Sequence, residues 1–124
     1  MMSNMINWFE IPVANYERAK KFYEGMFNIH IHTVNDMPGT TMGFFPGEGQ
    51  GVSGAIVQGE DYTPSSNGAL VYLNGGEDLS HALSRVEANG GKVILPKTPI
   101  SEEFGNFALF MDTEGNKLGI HSRG

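Results

Sequence analysis

Glu10, Tyr72 and His121 supply a carboxylate, a phenol and an imidazole, the side-chain types that proton transfer requires, and each lies in a stretch with strand-like alternation. In the first stretch, alternation puts Trp8, Glu10 and Pro12 on one face and Phe9, Ile11 and Val13 on the other. The same rule groups Leu70, Tyr72 and Asn74, and it groups Lys117, Gly119 and His121 opposite Leu118 and Ile120. Should these three faces look into one hollow, Glu10 is a general base whose apolar surroundings favour the protonated form, and His121 or Tyr72 is the acid or orienting donor. Trp8 then forms a stacking wall. The competing reading makes Glu10 a buried carboxylate that only orients its neighbours, Trp8 a core residue, and His121 a frayed end. His30 and His32, two apart on one strand face, are a possible metal pair, but a site needs further converging ligands. His81, on a polar helix face, reads as solvated.

The elements that must position these groups come in a repeated order. After the first strand the period turns helical at Tyr16, Ala19, Phe22, Tyr23 and Met26, with Asn15 as N-cap, Glu17 and Lys21 as an i,i+4 pair, and Gly25 near Asn28 weakening the end. Strands are expected over 29–34, 40–45 and 53–58. The segment GEDYTPSSNG, residues 59–68, lacks apolar periodicity and reads as a connector. The order then restarts: a strand over 69–73, a helix capped by Glu77 or Asp78 with Leu79, Ala82, Leu83 and Val86 inward, a stop at Asn89-Gly90-Gly91, and strands over 92–95, 107–111 and 117–120. The last two join through the polar turn Asp112 to Asn116. The chain is thus an α+β protein of two βαβββ modules, residues 1–62 and 63–124, forming one structural domain, a cup of mixed sheet between the modules with the helices outside.

Composition narrows the function classes. A chain of 124 residues with 40% hydrophobic and 18% charged residues has the make-up of a soluble globular domain. With 8 Lys+Arg against 14 Asp+Glu, the formal charge of −6 gives no basic face for nucleic acid and, if anything, hints at a cationic ligand. No cysteine is present, which removes disulfides, thiolate nucleophiles and cysteine zinc sites, and a cytoplasmic location is the default expectation. The start has no basic stretch leading into an apolar one, and no run is long enough for a membrane helix.

Three stretches, INWFEIPVANYERAKKFYEGMF, ALVYLNGGEDLSHALSRVEANGGKVILPKTPI and FGNFALFMDTEGNKLGIHS, carry a resemblance that spans nearly the whole chain. The Val13-Ala14-Asn15-Tyr16 junction followed by Phe22-Tyr23, the helix end at Val86 to Gly91 and the Asp112 to Asn116 turn together resemble the vicinal oxygen chelate superfamily of glyoxalases, bleomycin-resistance proteins and dioxygenases. That resemblance implies a cup between the modules, and commonly a homodimer. It also implies four metal positions, which fall here at Trp8, near Gly54, near Leu70 and at Gly119. Tryptophan, leucine and glycine give a divalent cation no side-chain donor, so no metal and no other cofactor is expected. Family topology puts the second strand at a sheet edge, away from the cup, which favours the solvated reading of His30 and His32.

The expected site is therefore Glu10 and His121 as catalytic groups, with Trp8, Leu70, Tyr72, Asn74, Gly54 and Gly119 around the ligand. The two glycines are expected to leave room where a metal once sat. Phe44, Phe45, Phe107 and Phe110 read as packing, with an apolar ligand wall as the alternative. Two functions fit: a glyoxalase-related lyase or isomerase working without the metal, or a bleomycin-resistance-like protein that sequesters a small molecule. A structural or regulatory partner that takes no ligand is a third possibility. The small-molecule pocket leads these, with catalysis left open.

Overall fold

The computed structural model describes residues 4–47 and 51–124. The first alternating stretch forms β1, Trp8–Pro12, and the helical stretch forms α1, Tyr16–Phe27. Asn15 caps α1 as expected, its side chain accepting from the Arg18 N–H, and Asn28 ends the helix in the left-handed conformation. Three strands follow: β2 (His32–Val34), β3 (Thr41–Phe44) and β4 (Ser53–Gln58). The sheet order is β1-β4-β3-β2, with β1 and β4 parallel. β2 begins three residues later than the sequence pattern indicates. The Glu24 carboxylate accepts the Ile31 N–H and lies 3.6 Å from His30, which holds the chain against the end of α1 up to that point.

The second unit repeats the order as β5 (Tyr72–Asn74), α2 (Ser80–Leu83), a 3-10 turn at Glu87–Asn89, β6 (Lys92–Ser101), β7 (Gly105–Met111) and β8 (Lys117–Ser122). Its sheet order, β5-β8-β7-β6, matches that of the first. The expected helix is broken into one short α-helix and the 3-10 turn, yet Leu79, Ala82 and Val86 are buried as the pattern requires. Asp78 accepts the Ser80 N–H at the start of this stretch. β6 runs well beyond Leu95, through Pro96 and Pro99. An edge strand with register shifts tolerates the missing N–H groups.

Strand parity follows the sequence pattern. Ile11, Val13 and Ile56 of the first sheet and Leu73, Ala108, Phe110, Leu118 and Ile120 of the second enter one common core with α1 and α2. α1 serves both sheets: Phe22 stacks near Phe110 of β7, at 6.2 Å between ring centres, and Tyr23 meets Phe45 edge-on at 5.5 Å. The β7–β8 turn fastens the start of α1. Asp112 is buried and accepts from the Tyr23 hydroxyl at 2.7 Å, from the Glu114 and Asn116 backbone N–H groups, and from the Asn116 amide. That amide also donates to the Pro12 carbonyl. Burial, with Asp112 beside it, pushes the Tyr23 phenol well above its usual pKa and keeps it a donor.

Glu114 completes the fastening. Its carboxylate accepts the N–H groups of Ala14 and Asn15 and pairs with Arg18 at 2.6 Å. Burial pushes this carboxyl up, but the Arg18 bond, the two N–H groups and the Thr113 hydroxyl outweigh it, so its pKa lies below the ordinary value. A carboxyl with a depressed folded-state pKa stabilises the fold above its unfolded pKa and loses that contribution as pH falls through the folded value. Urea unfolding from pH 7 to pH 3 is therefore expected to show stability declining below about pH 4.3, the ordinary glutamate value. Glu24, held down chiefly by the Ile31 N–H, acts in the same direction. The decline should be shallower in Glu114→Gln, and an unchanged slope would remove Glu114 from the account.

Candidate functional site

Because the helix-side faces of both sheets share one core, their other faces lie on the outside of the chain. On the first sheet that face carries Trp8, which is 43% exposed and packs edge-on against Phe44 at 5.5 Å. Trp8 is thus exposed on the sheet face and is not a core residue. Next to it stands Glu10, exposed, with one oxygen accepting the Tyr62 hydroxyl at 3.0 Å and the other facing the Trp8 indole N–H at 3.4 Å. The apolar enclosure expected around Glu10 is absent, since the strand face that carries it is uncovered. Tyr62 was not singled out in the sequence, because it sits in a connector without periodicity. The hydrogen bond to Glu10 raises the Tyr62 pKa and keeps its proton in place.

On the second sheet a hollow of about 650 Å³ is lined by Tyr72, Asn74, Ile100, Phe107, His121 and Arg123, among others, and by no residue of the first sheet. Tyr72 and Phe107 meet edge-on at 6.3 Å. His121 is an ordered member of β8, paired across from Phe107, and does not fray. Its Nε2 lies 2.6 Å from the Phe104 carbonyl, an acceptor, so Nε2 bears the hydrogen and a neutral His121 keeps only Nδ1 free. It is therefore not a free acid in the neutral state. Glu10 and His121, expected side by side, stand on the outer faces of different sheets, and among the described residues no hydrogen bond joins them.

Three other expectations change. Gly54 pairs with Phe9, and a Cβ on it would meet the Phe9 ring and carbonyl, so its open side faces the core. The outward residues of β4 are its neighbours Ser53 and Ala55, paired with Trp8 and Glu10. Gly119 leaves no vacant space, because the Tyr72 ring lies over it where a Cβ would stand. Leu70 precedes β5 and lines an adjoining groove of about 800 Å³ along the seam of the two units, with Phe9, Phe27, Phe45 and Val71; the groove shares Tyr72, Leu73 and Asn74 with the hollow. Of the four phenylalanines, Phe110 and Phe45 pack in or against the core as read, whereas Phe44 and Phe107 belong to the outer faces.

The metal that the resemblance implies does not suit these residues. Trp8, Leu70 and Gly119 offer it no donor, and the Ser53 hydroxyl is donated to the Phe45 carbonyl. Among the described residues no three His, Asp or Glu side chains converge as a metal site. β2 is an edge strand, and His30 and His32 both stay exposed. No helix among the described residues is long and apolar enough to cross a membrane.

Comparison with known proteins agrees with this geometry. The family model for the Glyoxalase/Bleomycin resistance protein/Dioxygenase superfamily matches residues 5–120. A glyoxylase-like domain-containing protein of Didymella fabae is 31% identical over 127 residues, covering 99% of this chain and 97% of that protein. Among solved structures, the antibiotic binding protein TnmS3 from Streptomyces sp. CB03234 superposes with a TM-score of 0.71 at 21% identity, covering 100% of this chain and 99% of its own. A glyoxalase/bleomycin resistance protein from Albidiferax ferrireducens T118 gives 0.69 at 20% identity, with 98% and 100% coverage. Glyoxalase I from Zea mays gives 0.73 at 20% identity over 94% of this chain, which spans only 45% of the maize protein. The paired βαβββ units, their matching strand orders and these matches together make the chain a member of the glyoxalase/bleomycin resistance protein/dioxygenase superfamily.

Proposed function

We propose that the protein binds a compact organic molecule between the outer face of its first sheet and the outer face of the second sheet of another copy of the chain. The observation that carries this is the set of large apolar side chains left uncovered, Trp8 on the first-sheet face and Ile6, Val52, Leu70 and Tyr72 along the adjoining seam groove, each 40% exposed or more. Monomers rarely leave such patches open, and patches of this kind mark contact surfaces. Trp8 and Tyr72 supply flat walls; Glu10, set by Tyr62, and Asn74 supply polar contacts. TnmS3, which shares the fold over 99% of its chain, is an antibiotic binding protein, which favours sequestration.

A panel of small aromatic compounds screened by thermal shift tests the reading, because a ligand that binds only the folded chain raises its melting temperature. Trp8→Ala is expected to weaken the best binder at least about tenfold, a loss of ~1.4 kcal/mol, and Glu10→Gln to change it far less. Stabilisation that ignores Trp8→Ala would refute the site. Acid-base chemistry is the second reading, favoured by the two hydrogen-bonded oxygens of Glu10. It predicts exchange of a proton next to a carbonyl in deuterated water, followed by NMR and abolished in Glu10→Gln.

A further inference from the structure

The hollow on the second sheet departs from the charge of the chain that bears it. The sequence carries 14 acidic against 8 basic residues, yet the residues lining this hollow include no carboxylate and one guanidinium, Arg123. One Arg123 N–H donates to the Glu103 backbone carbonyl, which steadies the group without neutralising it. Among the described residues no carboxylate lies within ion-pair distance of it, as is true of Lys21, Arg85, Lys92 and Lys117, but Arg123 alone of these lines the hollow.

The neutral groups point the same way. Asn74 accepts the Gly76 N–H through its Oδ1, which fixes the amide with its NH2 left over as donor. The Tyr72 hydroxyl has no hydrogen-bond partner among the described residues, nor has the Asn74 NH2. The hollow thus gathers a guanidinium, an amide N–H and a phenol around an aromatic floor of Tyr72 and Phe107, with Nδ1 of His121 and the Tyr72 oxygen as side-chain acceptors. Its size, about 650 Å³, lies within the range of small-molecule sites. A surplus of donors beside a planar apolar surface is complementary to an aromatic anion, because guanidinium binds carboxylate in a paired, charge-assisted fashion.

We infer that the second-sheet hollow recognises the anionic group of a planar aromatic acid, with Arg123 as the residue that determines specificity and Tyr72 and Asn74 as accessory donors. This rests on the small-molecule reading above and adds to it the chemical class of the ligand, whose anionic end turns to Arg123 and away from Glu10 on the opposing wall. It reverses the hint of a cationic ligand drawn from net charge, since local donors at contact distance outweigh charges spread over the surface and screened beyond about 8 Å.

The test uses three probes of one shape, 2-naphthoate, 2-naphthalenemethanol and 2-naphthylmethylammonium, titrated calorimetrically into the full chain. Naphthoate is expected to bind at least tenfold more tightly than the alcohol, and the ammonium most weakly. Arg123→Gln, an exposed position whose change leaves the core intact, should erase the preference for naphthoate while leaving alcohol binding within a factor of two, and Arg123→Lys should restore part of it. Equal binding of acid and alcohol, preference for the ammonium, or a preference that survives Arg123→Gln would each overturn the inference and leave the small-molecule reading standing. If none of the three probes binds, this inference falls, while the thermal-shift panel decides the small-molecule reading separately.

Discussion

Alanine in place of Asp112 is expected to lower the unfolding free energy by roughly 1–3 kcal/mol, the cost of leaving a buried donor without its acceptor. The carboxylate accepts four hydrogen bonds, from Tyr23, Glu114, and the backbone and amide of Asn116. Its loss leaves the Tyr23 hydroxyl, fully enclosed beneath α1, without an acceptor, and loosens the turn that anchors the Pro12 carbonyl and the N-terminus of α1. The measurement is urea unfolding at pH 7, with Asp112→Asn as the companion variant. The asparagine keeps shape and one carbonyl oxygen and should fall between wild type and alanine. A loss below about 1 kcal/mol, the net value of one ordinary hydrogen bond, would show that the turn does not act as the fastening between the two units.

Mixing two altered chains is expected to give an all-or-nothing result on the shared cup. Trp8 is the sole tryptophan, so its emission reports whether the first-sheet face is covered. In the proposed pair, Trp8 of one copy meets the second sheet of the other, and its emission shifts to the blue relative to a diluted, unpaired sample. Tyr72→Arg places a charge on the exposed second-sheet face, where the fold tolerates it, and the red emission of exposed tryptophan should then persist at high concentration. Adding an excess of Trp8→Phe chains, which have no tryptophan but an unaltered second sheet, should restore the blue shift. Sedimentation should show the mass of a pair. Were each cup built within one chain, the added chains would change nothing, and that outcome would sink the shared arrangement.

Local order decided much of this protein in advance. Alternation put Ile11 and Val13 on one side of β1 and Trp8 and Glu10 on the other, and Leu118 and Ile120 opposite His121, because a strand's side chains must alternate whatever it packs against. The Asn15 cap and the stripe from Tyr16 to Met26 likewise set α1 through contacts within a few residues.

The tertiary structure alone decided how the faces meet. Parity says that Glu10 and His121 face away from the core; it does not say whether two outward faces converge, which depends on α1 lying between the sheets with Phe22 against Phe110 and Tyr23 against Asp112. Gly54 shows how fine that margin is, since a shift of one position along β4 exchanges the outward side for the core. Tyr62 and Arg123 reached their places through a connector and through the residues after β8, where no period exists to be read. Contacts between residues close in sequence are written in its pattern, while those bridging some 50 to 100 positions arise only when two independently patterned units pack together.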